Sequence, residues 1–219
     1  MTEAAASGPL RGPLRKRESS LWVREANDWY VEPEWVSQRL FEEERFEGRV
    51  HDPACGMGNI VKSARAADLY ATGSDIVRRV DEDDDSDENP DMICDYVEDF
   101  LSDDTPQHFD NIVSNPPFKL CDDRKTGRFP FVERALKLAR RKVALLLPSK
   151  WIQGDKRAVW LATTPLRRVW FISPRPSMPP GQVIAAGHKP GNGTTDYAWF
   201  VWLQGYDGAP EIRWLRRSK

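Results

Sequence analysis

Cysteine and histidine are scarce in this 219-residue sequence, with three of each. Cys55, Cys94 and Cys121 are too few for a disulfide framework and lack the C-x-x-C spacing of a zinc site, so the thiols are expected to stay reduced and no metal is expected. His51 lies in an apolar run, where packing is the commoner role, and His108 and His188 fall in loops. No stretch approaches the ~20 apolar residues that cross a bilayer, and the N-terminus carries no apolar signal core. The expectation is a soluble, cytoplasmic protein without membrane contact.

A strong net charge is also lacking: 32 basic and 34 acidic residues give a formal −2. That balance is local, because "DEDDDSDENPD" (81–91) holds eight of the acidic residues. The remainder is basic, and "ARRK" (139–142), "LRR" (166–168) and "LRRSK" (215–219) could face a nucleic acid or simply be solvated surface.

Residues 1–18 are rich in Gly, Pro, Ala and Arg and read as a flexible tail, with 19–219 as one domain. After Pro33, Trp35, Val36, Leu40 and Phe41 repeat near helical spacing, with Gly48 as the expected stop. Short apolar runs then alternate with helical segments. Strands are expected at 49–55, 70–77, 91–97, 109–115, 142–148, 167–173 and 196–204, and helices at 59–69, 128–141 and 156–164. Such alternation indicates an α/β domain with a mostly parallel sheet and helices on both faces. Ligands of these sheets bind beyond the carboxyl ends of the strands.

The residues just beyond each strand are therefore informative. "DPACGMGN" (52–59) ends the first, and its glycines permit a tight turn and a close backbone approach at a helix start. Asp75 ends the second strand about twenty residues on, where an acidic residue can take both hydroxyls of a ribose. After the third strand come Asp99, an acceptor for an exocyclic amine, and Phe100, which could lie against a base. The fourth ends in "NPPF", Asn115 to Phe118. The prolines keep backbone carbonyls out of ladders and helices, so the Asn115 amide oxygen and the Pro116 carbonyl can hold the two hydrogens of a planar amine while Phe118 stacks on its ring.

Together "DPACGMGN" and "NPPF" resemble the S-adenosylmethionine-dependent N6-adenine DNA methyltransferases, in a small phage-like form without a separate target-recognition domain. "DWYVEPEW" (28–35) sits where that family carries a Tyr-x-Thr-Pro segment, but with Glu32 in place of the threonine. The resemblance implies a Rossmann-like class I methyltransferase fold, with a seven-stranded sheet in the order 3-2-1-4-5-7-6 and its last strand antiparallel. It implies S-adenosylmethionine as cofactor, S-adenosylhomocysteine as product and no metal. Asp52, Pro53, Ala54, Cys55, Gly56, Gly58, Tyr30 and Pro33 would surround the methionine part, Asp75 and Ile76 the ribose, and Asp99 and Phe100 the adenine. Asn115, Pro116, Pro117 and Phe118 would hold the target base.

On this reading an adenine flipped out of DNA is methylated at N6. Lys119, Arg124, Lys125 and Arg128, just after the tetrad, would contact DNA, and so could the long Gly/Pro-rich stretch 173–196. The same tetrad also serves RNA adenine or guanine and protein glutamine, and a cofactor-binding but inactive accessory or DNA-binding subunit is the reading from another class. The small size points to a homodimer, a partner subunit or a short target sequence.

Overall fold

A computed structural model describes residues 29–79, 93–102, 108–187 and 193–218. The expected tail (1–18) and the acidic run (81–91) lie outside the described residues. The first element is helix α1, Glu34–Glu43, and after it come β1 (Val50–Asp52), α2 (Asn59–Ala66), β2 (Ala71–Asp75), β3 (Tyr96–Val97) and β4 (Phe109–Ser114). The chain continues through α3 (Pro130–Leu138), β5 (Ala139–Pro148), α4 (Asp155–Leu161), β6 (Leu166–Ser173), α5 (Gly181–Ala185), β7 (Tyr197–Leu203) and β8 (Glu211–Arg216).

The strands form one sheet in the order β3-β2-β1-β4-β5-β7-β6-β8. Strands β1 to β5 are parallel, and β7 runs antiparallel to both β5 and β6. The first seven strands thus adopt the expected order, with the expected antiparallel insertion.

Alternation along the central strands builds two cores, because successive side chains point to opposite faces. Leu146, Trp199 and Val201 join Val36 and Leu40 of α1 and Ile60, Val61 and Ala64 of α2. Leu145, Leu147, Phe200 and Trp202 join Phe131, Val132 and Ala135 of α3 and Leu161 of α4 on the other face. Trp151, Trp170, Trp199 and Trp202 are all buried, as expected of tryptophans beside strands. Apolar burial of this kind contributes about 1.5–3 kcal/mol per large side chain.

The eighth strand has no counterpart among the expected elements. Its sequence, "EIRWLR", has Ile212 and Trp214 exposed at 59% and 64%, while Leu215 is buried. A strand whose apolar residues mostly face outward gives no clean period-2 signal. Glu211 attaches it to β6 by ion pairs with Arg167 and Arg168. Two of the basic clusters, left open between a nucleic-acid face and solvated surface, hold ion pairs within the fold: Arg141 pairs with Glu47, Lys142 with Glu44, and Arg168 with Glu44 and Glu211.

Several boundaries also differ. Helix α1 stops at Glu43 rather than near Gly48, because Glu44 is extended and its buried carboxylate accepts hydrogen bonds from Lys142 on β5 and from Arg168 and Trp170 on β6. Helix α3 ends at Leu138, and the remaining residues to Arg141 belong to β5. The third strand is only Tyr96–Val97, with residues 91 and 92 outside the described ones.

Candidate active site

One cavity opens at the carboxyl ends of β1, β2 and β4. Its wall includes Tyr30, Glu32, Asp52, Pro53, Ala54, Cys55, Gly56, Asp75, Ile76, Asp99, Phe100, Asn115 and Pro117. The fold thus brings together the turn after β1, the acid at the end of β2 and two of the four tetrad residues after β4, Asn115 and Pro117.

Each part is positioned by identifiable bonds. Asp52, 1% exposed, accepts at Oδ1 from the Ser114 hydroxyl at 2.7 Å and from Ala54 N at 3.1 Å, so it joins the ends of β1 and β4. Asp75 accepts from Gly56 N at 3.0 Å and from Val77 N at 3.1 Å, holding the glycine turn against the end of β2. Gly56 has φ +53°, and a Cβ there would stand 3.0 Å from Trp29 Nε1, so a side chain would block the approach to the turn. Ile76 is 60% exposed at the rim, an apolar surface suited to a flat ring. Asp99 is exposed, with Oδ1 accepting from Leu101 N at 2.9 Å.

The Asn115 amide is held on its nitrogen side. Nδ2 donates to the Tyr30 carbonyl at 2.7 Å and to Glu32 Oε2 at 2.9 Å. The Pro117 carbonyl accepts from Leu120 N at 2.9 Å, starting the short 3-10 turn Phe118–Cys121. Pro116 is buried. Phe118 stands between Tyr30, parallel within 6° at 6.4 Å, and Tyr197, tilted by 35° at 5.9 Å. It lines the neighbouring groove rather than the cavity.

Some expected roles change. Gly58 does not line the cavity; at φ +77° its missing Cβ makes room for Ile93, whose Cγ2 would lie 1.9 Å away. Pro33 lies outside it as well and precedes α1, where its carbonyl accepts from Val36 N at 2.9 Å. Phe100 lines the cavity but is also core, 4% exposed and 4.8 Å from the Phe131 ring. Arg128 forms a two-pronged pair with Glu133, which neutralises it, whereas Lys119, Arg124 and Lys125 line the groove beside Phe118. Part of the stretch 173–196, expected as a possible DNA contact, packs against the 29–31 segment of the cavity wall: Val31 N donates to the Pro179 carbonyl and Gly181 N to that of Trp29.

Sequence reasoning missed Trp29, Asn59 and Arg79, which complete the wall. The Arg79 guanidinium lies 4.3 Å over the Trp29 ring and 3.8 Å from Asp75. Trp29 and Asn59 lie within "DWYVEPEW" and "DPACGMGN", so their motifs already point to them, whereas Arg79 follows Asp75 in no recognisable pattern and is placed only by the fold.

The electrostatics are acidic and little compensated. Burial pushes Glu32 up to about 7, and pushes Asp52 well above the usual carboxylate range, with Glu32 and Asp75 adding to the rise. A hydrogen bond with Cys94 and then burial push the Cys55 thiol up, so it is no nucleophile at neutral pH. His51 is 1% exposed and held by Thr72 and Ser74, a packing residue. Among the described residues, no cluster of His, Cys, Asp or Glu could hold a metal, and no helix is long and apolar enough to cross a membrane.

No family model matches the chain, and no curated protein matches it in sequence. Solved structures do match. The M protein of the type I restriction enzyme EcoKI superposes with a TM-score of 0.55 at 12% identity, over 88% of this chain and 49% of that one. A Pyrococcus horikoshii protein described as a candidate RNA methyltransferase gives 0.52 at 15% identity, over 77% and 79%. Magnesium protoporphyrin IX methyltransferase from Synechocystis PCC 6803, solved with bound S-adenosylmethionine, gives 0.50 at 13%, over 78% and 76%. The fold is that of the Rossmann-like methyltransferases. Within this methyltransferase fold β8 extends the seven-strand order by one strand, and the chain spans about half the length of the EcoKI M protein.

Proposed function

We propose that this protein transfers the methyl group of S-adenosylmethionine to the N6 amine of an adenine in DNA. One observation carries the reading: the glycine turn after β1, Asp75 at the end of β2 and the Asn115 amide after β4 face a single cavity. The donor set fits the cofactor. Glu32, Asp52 and Asp75 are buried carboxyls, suited to a ligand that carries an ammonium and a sulfonium charge. Gly56 leaves room for its backbone-close approach, and Ile76 and Phe100 offer apolar surface for its adenine.

When bound, the cofactor supplies an activated methyl group on sulfur. The residues of this chain orient the acceptor. Asn115 Oδ1 and the Pro116 carbonyl accept the two hydrogens of the target amine. Both bonds favour a pyramidal nitrogen whose lone pair points along the line of transfer, so the gain is orientation and electrostatic preorganisation. Phe118 offers its ring to the extruded base, a base that costs a few kcal/mol to unstack. Arg124 and Lys125, exposed on the groove beside it, are assigned to the phosphates of the same strand.

The test is incubation with a labelled methyl donor and, separately, DNA, RNA and protein, with mass spectrometry of the product. N6-methyldeoxyadenosine is the expected product, and Asn115→Ala should abolish it while cofactor affinity is retained. Label confined to RNA or to glutamine would replace the proposed substrate, and full activity of Asn115→Ala would remove the proposed role of the tetrad.

A further inference from the structure

Glu32 stands where the resembling family carries threonine, and the structure gives it a partner that a threonine could not serve in the same way. Its backbone is fixed by the Asn59 amide, which donates to the Glu32 carbonyl at 2.6 Å. The side chain is 5% exposed. Oε1 accepts from the Ser37 hydroxyl of α1 at 3.3 Å, and Oε2 accepts from Asn115 Nδ2 at 2.9 Å. The other acceptor for Nδ2 is the Tyr30 carbonyl, two residues earlier, at 2.7 Å. Two acceptors on one segment therefore receive the amide nitrogen, and turning the amide over would set Oδ1 against both. The amide has one stable orientation, and Oδ1 is directed away from the 30–32 segment.

We propose that Glu32 is a positioning residue for methyl transfer: it locks the Asn115 amide with Oδ1 available to the target amine, and its negative charge strengthens that oxygen as an acceptor. The proposal rests on the amino-methyltransferase reading above. The physical basis is polarisation. A hydrogen bond from an amide N–H to a carboxylate is stronger than one to a neutral group and shifts electron density toward the amide oxygen.

The charge is subject to titration in the neutral range. Burial raises the Glu32 carboxyl to about 7 against the lowering effect of hydrogen bonds from its backbone, Asn115 and Ser37. The charged group facing it is the carboxyl of Asp52 at the end of β1, with the neutral Ser37 of α1, Asn59 of α2 and Asn115 after β4; Asp75 lines the same cavity and acts on Asp52. Arg79, on the same cavity wall, stands beside Asp75. Among the described residues no cation forms an ion pair with Glu32. A cationic ligand in the cavity would therefore favour the ionised form, and the acceptor strength of Oδ1 would rise as Glu32 loses its proton.

The experiment uses the full chain labelled with nitrogen-15. The side-chain amide signal of Asn115, identified by its loss in Asn115→Asp, is tracked through a pH titration, without ligand and with S-adenosylmethionine. We expect it to shift with a midpoint of about 7, lower with the cofactor, and to lose the titration in Glu32→Gln. In parallel, Glu32→Gln should lower kcat at saturating cofactor about tenfold or more, weaken cofactor binding above neutral pH by the factor that the cofactor-induced shift of the midpoint implies, leave the KM for DNA near wild type, and flatten the rise of kcat with pH. An Asn115 signal that does not titrate in the wild-type chain overturns the proposal, as does Glu32→Gln with wild-type kcat and pH profile. If the wild-type chain methylates no amine, the reading under Proposed function falls instead, and the titration of Asn115 still decides whether Glu32 holds it.

Discussion

His51 offers a stability measurement in which two opposing electrostatic effects can be told apart. It lies in β1 immediately before Asp52, and its ring is 1% exposed and stacked on Phe109 at 4.0 Å. Nδ1 is 2.9 Å from the Thr72 hydroxyl and Nε2 is 3.1 Å from that of Ser74. Glu98 Oε1 stands 3.9 Å from Nε2, and its charge alone would favour an imidazolium. Burial wins, bringing the ring from 6.5 down to about 4, because hydroxyls already satisfy both nitrogens of the neutral ring and Glu98 is 29% exposed and hence screened by water. Each tenfold preference for the neutral form is worth about 1.4 kcal/mol, so the change from 6.5 to about 4 amounts to about 3 kcal/mol. The sign is set by proton binding: below 6.5 the unfolded chain takes up a proton that the folded chain refuses. This stability is complete above that value and is lost as pH falls toward 4. Urea unfolding monitored by tryptophan fluorescence, compared between the wild type and His51→Gln over this range, should show a difference that shrinks by about 3 kcal/mol from pH 6.5 to 4. Parallel curves would refute the burial argument. A difference that grows on acidification would mean that Glu98 governs the ring.

Glu32 predicts the reverse slope: its carboxyl is raised from 4.5 to about 7, so its contribution is present below the lower value and declines as pH rises to the upper one. Glu32→Gln, measured by the same unfolding assay, should remove that decline and gain stability relative to wild type at alkaline pH. Glu44→Ala should cost about 1–3 kcal/mol in urea at neutral pH, because the buried Trp170 N–H loses its acceptor while Lys142 is left with the Arg45 carbonyl and Arg168 with Glu211. Burial raises the Glu44 carboxyl, but Lys142, Trp170 and Arg168 lower it further than that, so the penalty of the substitution should fade as pH drops through the carboxylate range. Gly58→Ala should destabilise by roughly 1–3 kcal/mol, through its φ of +77° and the contact of the new Cβ with Ile93; an unchanged urea midpoint would show that Ile93 moves aside without cost.

The legible parts of the chain are those where local sequence and tertiary role agree. Buried strands such as "KVALLLP" and the turns "DPACGMGN" and "NPPF" show their roles in short windows, and through the family resemblance they carry the order of seven strands. The hidden parts depend on contacts distant in sequence. Strand β8 is obscured because Ile212 and Trp214 face outward. The early end of α1 is invisible because Glu44 is drawn off the helix by residues about a hundred and more positions away. Gly58 belongs to the site by its motif, although its reason is Ile93, more than thirty residues further on. Arg128 looks like a free cation until the fold places Glu133 against it.

The same distinction explains why Glu32 is the most informative departure in the sequence. A motif comparison registers it only as a missing threonine, which weakens the expected contact to the cofactor. In the fold it becomes a buried carboxyl bonded to the residue that would hold the acceptor amine. Burying a carboxyl with no cation beside it costs several kcal/mol if it is charged. Asp52 and Asp75 are buried in the same cavity, and among the described residues only Asp75 of the three has an arginine near it, Arg79 at 3.8 Å. Three buried carboxyls in one wall are hard to justify by stability alone, since apolar residues of similar size would pack there at lower cost. They are consistent with a site whose charge is balanced only when a cationic ligand enters, in which case the destabilisation of the free protein is returned as preference for that ligand over a neutral one. On the proposed reading, glutamate at this position would keep the amide of Asn115 in place and make its acceptor strength respond to the charge state of the cavity.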